Sequence, residues 1–271
     1  MSPIDRLRAD AADLLRQGRA KVVLGYRQRG GQCIPVAVTD PEAAGALAWD
    51  PACKQNLAAY LRKPEVRRLR PVALVARPAV MRSLVVLAAE SQVRPEDVVV
   101  LAVGDDGEYH GVLDLAGTAA LLKEKYADLG HDAAAMKRIE ELAAMTPEER
   151  AAFWAAEFAK CTRCYACRAA CPACYCERCI VERNQPQWIS TAARSHGNYA
   201  WNVIRAFHLA GRCTECGACE AACPQGIPLM LLNVGLAADV ERQFGAKAGY
   251  DAEAEPVIGS WNAEDPEEFI R

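Results

Sequence analysis

Cys161-Thr162-Arg163-Cys164-Tyr165-Ala166-Cys167-Arg168-Ala169-Ala170-Cys171-Pro172 returns 52 residues later as Cys213-Thr214-Glu215-Cys216-Gly217-Ala218-Cys219-Glu220-Ala221-Ala222-Cys223-Pro224, with nine of twelve positions identical. Both copies follow the spacing C-x2-C-x2-C-x3-C-P. Three thiolates so spaced wrap one face of a 4Fe-4S cube, and the fourth turns away to ligate the other cube. The spacing therefore predicts one 4Fe-4S cluster on Cys161, Cys164, Cys167 and Cys223, and a second on Cys213, Cys216, Cys219 and Cys171. Such a crossover ties both copies into one helical, ferredoxin-like domain. Zinc is the competing ion. A tetrahedral zinc site would be satisfied by two C-x2-C pairs, leaving the third and fourth cysteines of each copy unexplained.

Working outward, 11 of the chain's 13 cysteines fall between Cys161 and Cys223. Three of them, Cys174, Cys176 and Cys179, lie outside the repeat. Together with the distant Cys53 they could hold a third iron–sulfur cluster; a zinc site and buried free thiols are the alternatives. Cys33 reads as a strand residue and is assigned no role. Arg163, Arg168 and Arg212 adjoin ligands, where their charge and hydrogen bonds could tune a cluster's potential; ordinary solvated arginine is the equal alternative. His208, five residues before Cys213, reads as a packing or supporting residue rather than a ligand.

The 271 residues, 52% hydrophobic and 25% charged, suit about two globular domains. Residues 1–160 carry 22 basic and 22 acidic side chains, residues 161–230 carry 7 and 4, and residues 231–271 carry 3 and 9. No polybasic stripe is present, which argues against a nucleic-acid partner. The amino terminus lacks the order of a signal peptide, and no apolar run approaches the ~18 residues of a membrane span. The expected location is the cytoplasm. Its reducing conditions disfavour a disulfide framework and favour metal for so many thiols.

The N-terminal half reads as an alpha/beta domain with a partly parallel sheet. Ser2 and Pro3 open an amphipathic helix that Gly18 ends. Lys21 to Tyr26 and Ile34 to Val38 are strands joined through Gly30-Gly31. Asp40-Pro41 opens a helix to about Trp49, and Asn56 to Arg62 is a second helical stretch. Val72–Ala76, Val80–Glu90 and Val98–Val103 alternate strand, helix, strand, the pattern of a βαβ unit. A further strand is expected near Tyr109–Leu113, with helices from Thr118 onward. Thr146-Pro147-Glu148-Glu149 starts the helix that delivers the chain to Cys161. The expected division is 1–145 alpha/beta domain, 146–235 two-cluster domain and 236–271 acidic C-terminal tail. No G-x-G-x-x-G, G-x-x-x-x-G-K-[ST] or H-E-x-x-H occurs.

The stretch Phe158–Cys179, with its CxxCYxCRxxCPxCYCxxC form, together with Arg205–Cys213 and Pro224–Leu229, resembles the iron–sulfur beta subunits of the coenzyme-reducing hydrogenase and formate dehydrogenase family. It most resembles those found beside heterodisulfide-reductase-like complexes. The N-terminal half resembles them through Trp49-Asp50-Pro51-Ala52-Cys53 and the βαβ segment. The resemblance implies an electron-relay subunit in an anaerobic redox complex. Its partners would be formate dehydrogenase or hydrogenase subunits and a flavoprotein of heterodisulfide-reductase type. It also implies FAD in the N-terminal domain, although Arg77-Pro78-Ala79-Val80 stands where relatives carry a cysteine-containing turn. The alternatives are a flavin-dependent subunit reducing a deazaflavin or nicotinamide coenzyme, and a scaffold whose clusters are structural.

Overall fold

The computed structural model describes residues 1–127 and 129–258. Two compact units divide the chain between residues 128 and 129, and Gly249–Ala254 belongs to the first. The architecture is α+β.

Helix α1 (Pro3–Arg16) starts where the sequence places it. Ser2 and Asp5 form a reciprocal capping box, Pro3 opens the first turn, and Leu7, Ala11 and Leu14 bury one stripe. Strands β1 (Val22–Arg29) and β2 (Gln32–Val38) form a hairpin. Its two-residue loop needs positive φ at both positions, and Gly30 and Gly31 supply 56° and 75°. The helix expected to reach Trp49 stops earlier, as a 3-10 turn over Pro41–Ala46. Ala48 is drawn into a bridge instead, its N–H donating to the Tyr26 carbonyl at 2.8 Å. A second 3-10 turn, Leu57–Arg62, is capped by buried Asn56, whose amide also reaches Ser83 Oγ at 2.8 Å. The short α2 (Pro64–Arg67) follows.

The βαβ unit stands as expected: β3 (Val72–Ala76), α3 (Pro78–Ala89) and β4 (Val98–Val103). With β5 (Tyr109–Leu113) the sheet order is β2-β1-β3-β4-β5, parallel at β1/β3 and β3/β4 and antiparallel at both edges. Every residue of β3 is buried, as a strand covered on both faces must be. Helix α4 (Leu115–Lys125) then packs on α3. The returning segment is fixed to this unit by Tyr250, whose ring lies 5.0 Å from the Arg82 guanidinium and whose hydroxyl donates to the Tyr126 carbonyl at 2.7 Å. Gly249 has φ 84°, and a Cβ there would sit 2.5 Å from the Arg82 carbonyl oxygen, so only glycine fits this approach.

Among the described residues the second unit contains helices and no strand: α5 (Ala133–Ala143), α6 (Pro147–Ala159), α7 (Ala166–Ala170), α8 (Ser195–Phe207), α9 (Ala218–Ala221) and α10 (Leu229–Phe244). Helix α6 packs on α8, α7 on α9, and α10 on α5, α8 and α9. Two expected boundaries therefore move. Helix α5, placed before residue 145 with the first domain, groups with the second unit. The boundary at 235/236 falls inside α10, which continues because Val234 and Val240 are both buried. The part of the acidic tail at 259–271 lies outside the described residues. No described helix is long and apolar enough to cross a membrane.

Tyr109 is buried in β5 and donates from its hydroxyl to Asp10 at 2.7 Å; burial first, then that carboxylate, pushes its pKa up. Tyr109→Phe is expected to cost about 1.5–3 kcal/mol in urea unfolding, the usual worth of a hydrogen bond to a charged group. A raised folded value also means that the unfolded chain gives up its phenolic proton first. Stability should therefore be full below pH 10.0, the ordinary tyrosine value, and fall above it. Comparing wild type with Tyr109→Phe across that range isolates the effect.

Candidate metal centre

Each cysteine run is a loop closed by one turn of helix, and the two are built alike. Arg163 and Glu215, at equivalent places in the repeat, have φ 58° and 55°; Tyr165 and Gly217, also equivalent, have 62° and 74°. Left-handed residues between the cysteines coil the backbone tightly enough for sulfurs three residues apart to share one side. For the three that carry a Cβ the conformation is costly, and the surrounding packing holds it.

Cys161, Cys164, Cys167 and Cys223 together line one pocket. Cys223 comes from the second run, so the structure brings together the four residues of the first expected quartet. Cys171 likewise leaves its own run: its sulfur interacts with those of Cys213 and Cys219, which also interact with Cys216. Ile227 and Leu229 form an apolar floor, and Tyr165 meets Trp201 edge-on at 4.9 Å to make one wall. Behind them Phe158, Cys219, Ile227 and Leu229 are the buried core of the unit. The buried amide of Asn198, on α8, anchors the first loop by donating to the carbonyls of Phe158 at 3.0 Å and Cys161 at 2.8 Å.

The donor set fits a multi-iron group. Burial, joined by neighbouring sulfurs, pushes the Cys213 thiol well above its ordinary value, and burial against the opposing charge of Arg205 brings Cys219 up to about 12. Thiolates crowded in low dielectric need cations, which is what bound iron supplies. Donors are in place for the anionic form: the Glu215 N–H reaches Cys213 Sγ at 3.4 Å and Asn233 Nδ2 reaches Cys219 Sγ at 3.6 Å. Among the described residues no three His, Cys, Asp or Glu side chains converge on a point as a single ion requires; the first quartet rims a cavity instead.

Three expectations need correction. Cys53 is disulfide-bonded to Cys33, Cα to Cα 5.2 Å, so it has no free sulfur to offer Cys174, Cys176 and Cys179. Both are almost fully buried, Cys33 on β2 and Cys53 in the loop after Trp49, and proximity decided a pairing that spacing could not. The other three lie in different surroundings. Cys174 lies against Cys171, which first of all holds it down to about 7, while Cys176 is exposed. His208 is exposed rather than packed; it caps α8, and its carbonyl accepts from Arg212 at 2.9 Å.

The arginines divide differently from expectation. Arg168 pairs with Glu182 at 2.7 Å, Arg212 donates to the carbonyls of His208 and Ala173, and buried Arg163 donates to the Gly197 carbonyl at 2.7 Å with its guanidinium 5.0 Å from the Trp201 ring. The cation that meets the sulfurs is Arg205, on α8, which interacts with Cys174, Cys171, Cys167 and Cys219. Its place in the apolar half of an amphipathic helix, between Trp201 and Leu209, was the one sequence signal for it.

A 4Fe-4S dicluster domain lies at residues 160–228. The second unit thus contains a domain of iron–sulfur type. It is 30% identical over 106 residues, 39% of its length, to the F420-dependent formate dehydrogenase subunit beta of Methanocaldococcus jannaschii. The same identity and extent relate it to the F420-dependent formate dehydrogenase 1 subunit beta of Methanococcus maripaludis. These matches span 27% of the length of each relative.

Two outcomes check this geometry. Asn198→Ala, which deletes both donations to the Cys161 loop, is expected to cost about 2 kcal/mol in urea unfolding of the iron-loaded chain, with iron released at lower urea than in wild type. Alkylation of iron-free, unreduced protein in denaturant should label the 11 free cysteines and leave Cys33 and Cys53 unmodified until reductant is added.

Proposed function

We propose that the chain is the electron-relay subunit of a multisubunit oxidoreductase, carrying two 4Fe-4S clusters. Cys161, Cys164, Cys167 and Cys223 hold one, and Cys213, Cys216, Cys219 and Cys171 the other, in a helical, ferredoxin-like unit. The observation that supports this most is the exchange of Cys223 and Cys171 between runs, since a pair of independent zinc sites gives no reason for it. When bound, each cube accepts or releases one electron without making or breaking a bond in the protein. The chain's own part is to fix the cubes, exclude water from them and set their potentials. Ile227, Leu229, Tyr165 and Trp201 keep the first quartet's pocket apolar, and backbone and amide N–H groups offset the charge on sulfur.

The electron donor we propose is a catalytic subunit of formate dehydrogenase or hydrogenase type, and the acceptor a flavoprotein of heterodisulfide-reductase type. The names of the relatives support the formate side. The first unit, with its sheet and disulfide, would serve docking. A second reading, a flavin-dependent subunit that reduces a deazaflavin, is favoured by the F420 dependence in the same names.

Anaerobically reconstituted chain is expected to hold about 8 iron atoms, to show two interacting cluster signals by electron paramagnetic resonance after reduction, and to turn over neither formate nor hydrogen alone. Zinc in place of iron would overturn the proposal. Stoichiometric flavin together with deazaflavin reduction by the isolated chain would replace it with the second reading.

A further inference from the structure

Arg205 is 5% exposed, the only arginine on α8 beyond its N-cap, and it sits among sulfurs of both quartets. Its guanidinium interacts with Cys167 of the first quartet and with Cys171 and Cys219 of the second, as well as with Cys174. Nη2 donates to the Cys167 carbonyl at 3.1 Å, which holds the head group beside that ligand. Nε is fully buried and has no partner among the described residues, although a buried donor left unmade is costly. The other arginines near the runs are committed elsewhere: Arg168 to Glu182, Arg212 and Arg163 to backbone carbonyls. No carboxylate pairs with Arg205 in the described structure, so its positive charge is left for the sulfurs alone.

We propose that Arg205 is a positioning and tuning residue shared by the two clusters, its buried guanidinium raising both reduction potentials and its free Nε–H donating to cluster sulfur. The inference rests on the two-cube reading above. Reduction adds one electron, hence one negative charge, to a cube. A fixed cation in low dielectric stabilises the reduced form more than the oxidised one, with no proton taken up. One cation facing both quartets moves both potentials the same way, which keeps the step between cubes nearly level while making each easier to reduce. The arrangement is preorganised because Cys167, the guanidinium and α8 are tied by the Nη2 bond.

The test is redox titration of the reconstituted full chain, followed by electron paramagnetic resonance, for wild type, Arg205→Met and Arg205→Lys, with iron counted in each. At full iron content, Arg205→Met is expected to lower both one-electron equilibrium constants about tenfold, which is 59 mV. Arg205→Lys, keeping the charge, should restore most of the shift. Unmoved midpoints in loaded Arg205→Met would overturn the inference while leaving the two-cube reading intact; absence of cubes from wild type would sink that reading, and the inference with it. Should Arg205→Met fail to load, wild type labelled with 15N in its guanidinium groups decides. A 15N coupling on both reduced clusters that vanishes in Arg205→Lys supports the inference, and its absence from wild type overturns it.

Discussion

Sulfurs of both runs crowded together in a small helical unit, from exposed Cys164 to buried Cys219, are the constraint on which the second half of this protein depends. A buried thiolate is costly by itself, and several together repel. The chain answers with donors and cations at short range: the Glu215 N–H on Cys213, the Asn233 amide on Cys219, and Arg205 among the sulfurs of both runs. Iron is the larger compensation. Its binding adds to the folding of this unit, beside the Asn198 and Arg163 bonds that already hold the first loop.

Local structure bears this out. Helices α7 and α9 are five and four residues long, far below what stands alone in water. Each begins after a left-handed residue, and its last residue lies one or two positions before the fourth cysteine of its run. The longer helices do the supporting: α8 brings Trp201, Asn198 and Arg205 to the loops, and α10 brings Leu229 and Asn233. Removing a support should therefore be felt first as loss of iron and only then as loss of helix.

The first unit has a conventional core, with a strand buried on both faces and a crossover helix covering it. Its two cysteines are joined to each other, which separates them chemically from the eleven in the second unit. Counting thiols along the chain suggested that Cys53 was a spare ligand. Proximity to Cys33 on β2, not number, decided its partner.

The eight repeat cysteines, the βαβ unit, the capping boxes at Ser2 and Thr146 and the Gly30-Gly31 hairpin were all legible in the sequence, because each is a short-range pattern with a stereochemical cause. The grouping of Cys223 with the first run followed from spacing alone, since a tight loop has room for three ligands on one face and not four. What only the tertiary structure decided was every matter of long-range proximity. Arg205 lies 38 residues from Cys167 in sequence and is one arginine among several until α8 packs. Cys33 meets Cys53 across a gap of 20 residues. The end of the early helix at Ala46 and the continuation of α10 past residue 235 were settled by a bridge to Tyr26 and by two buried valines. Propensity and spacing act within a few residues, whereas burial and charge act across whatever the fold brings together.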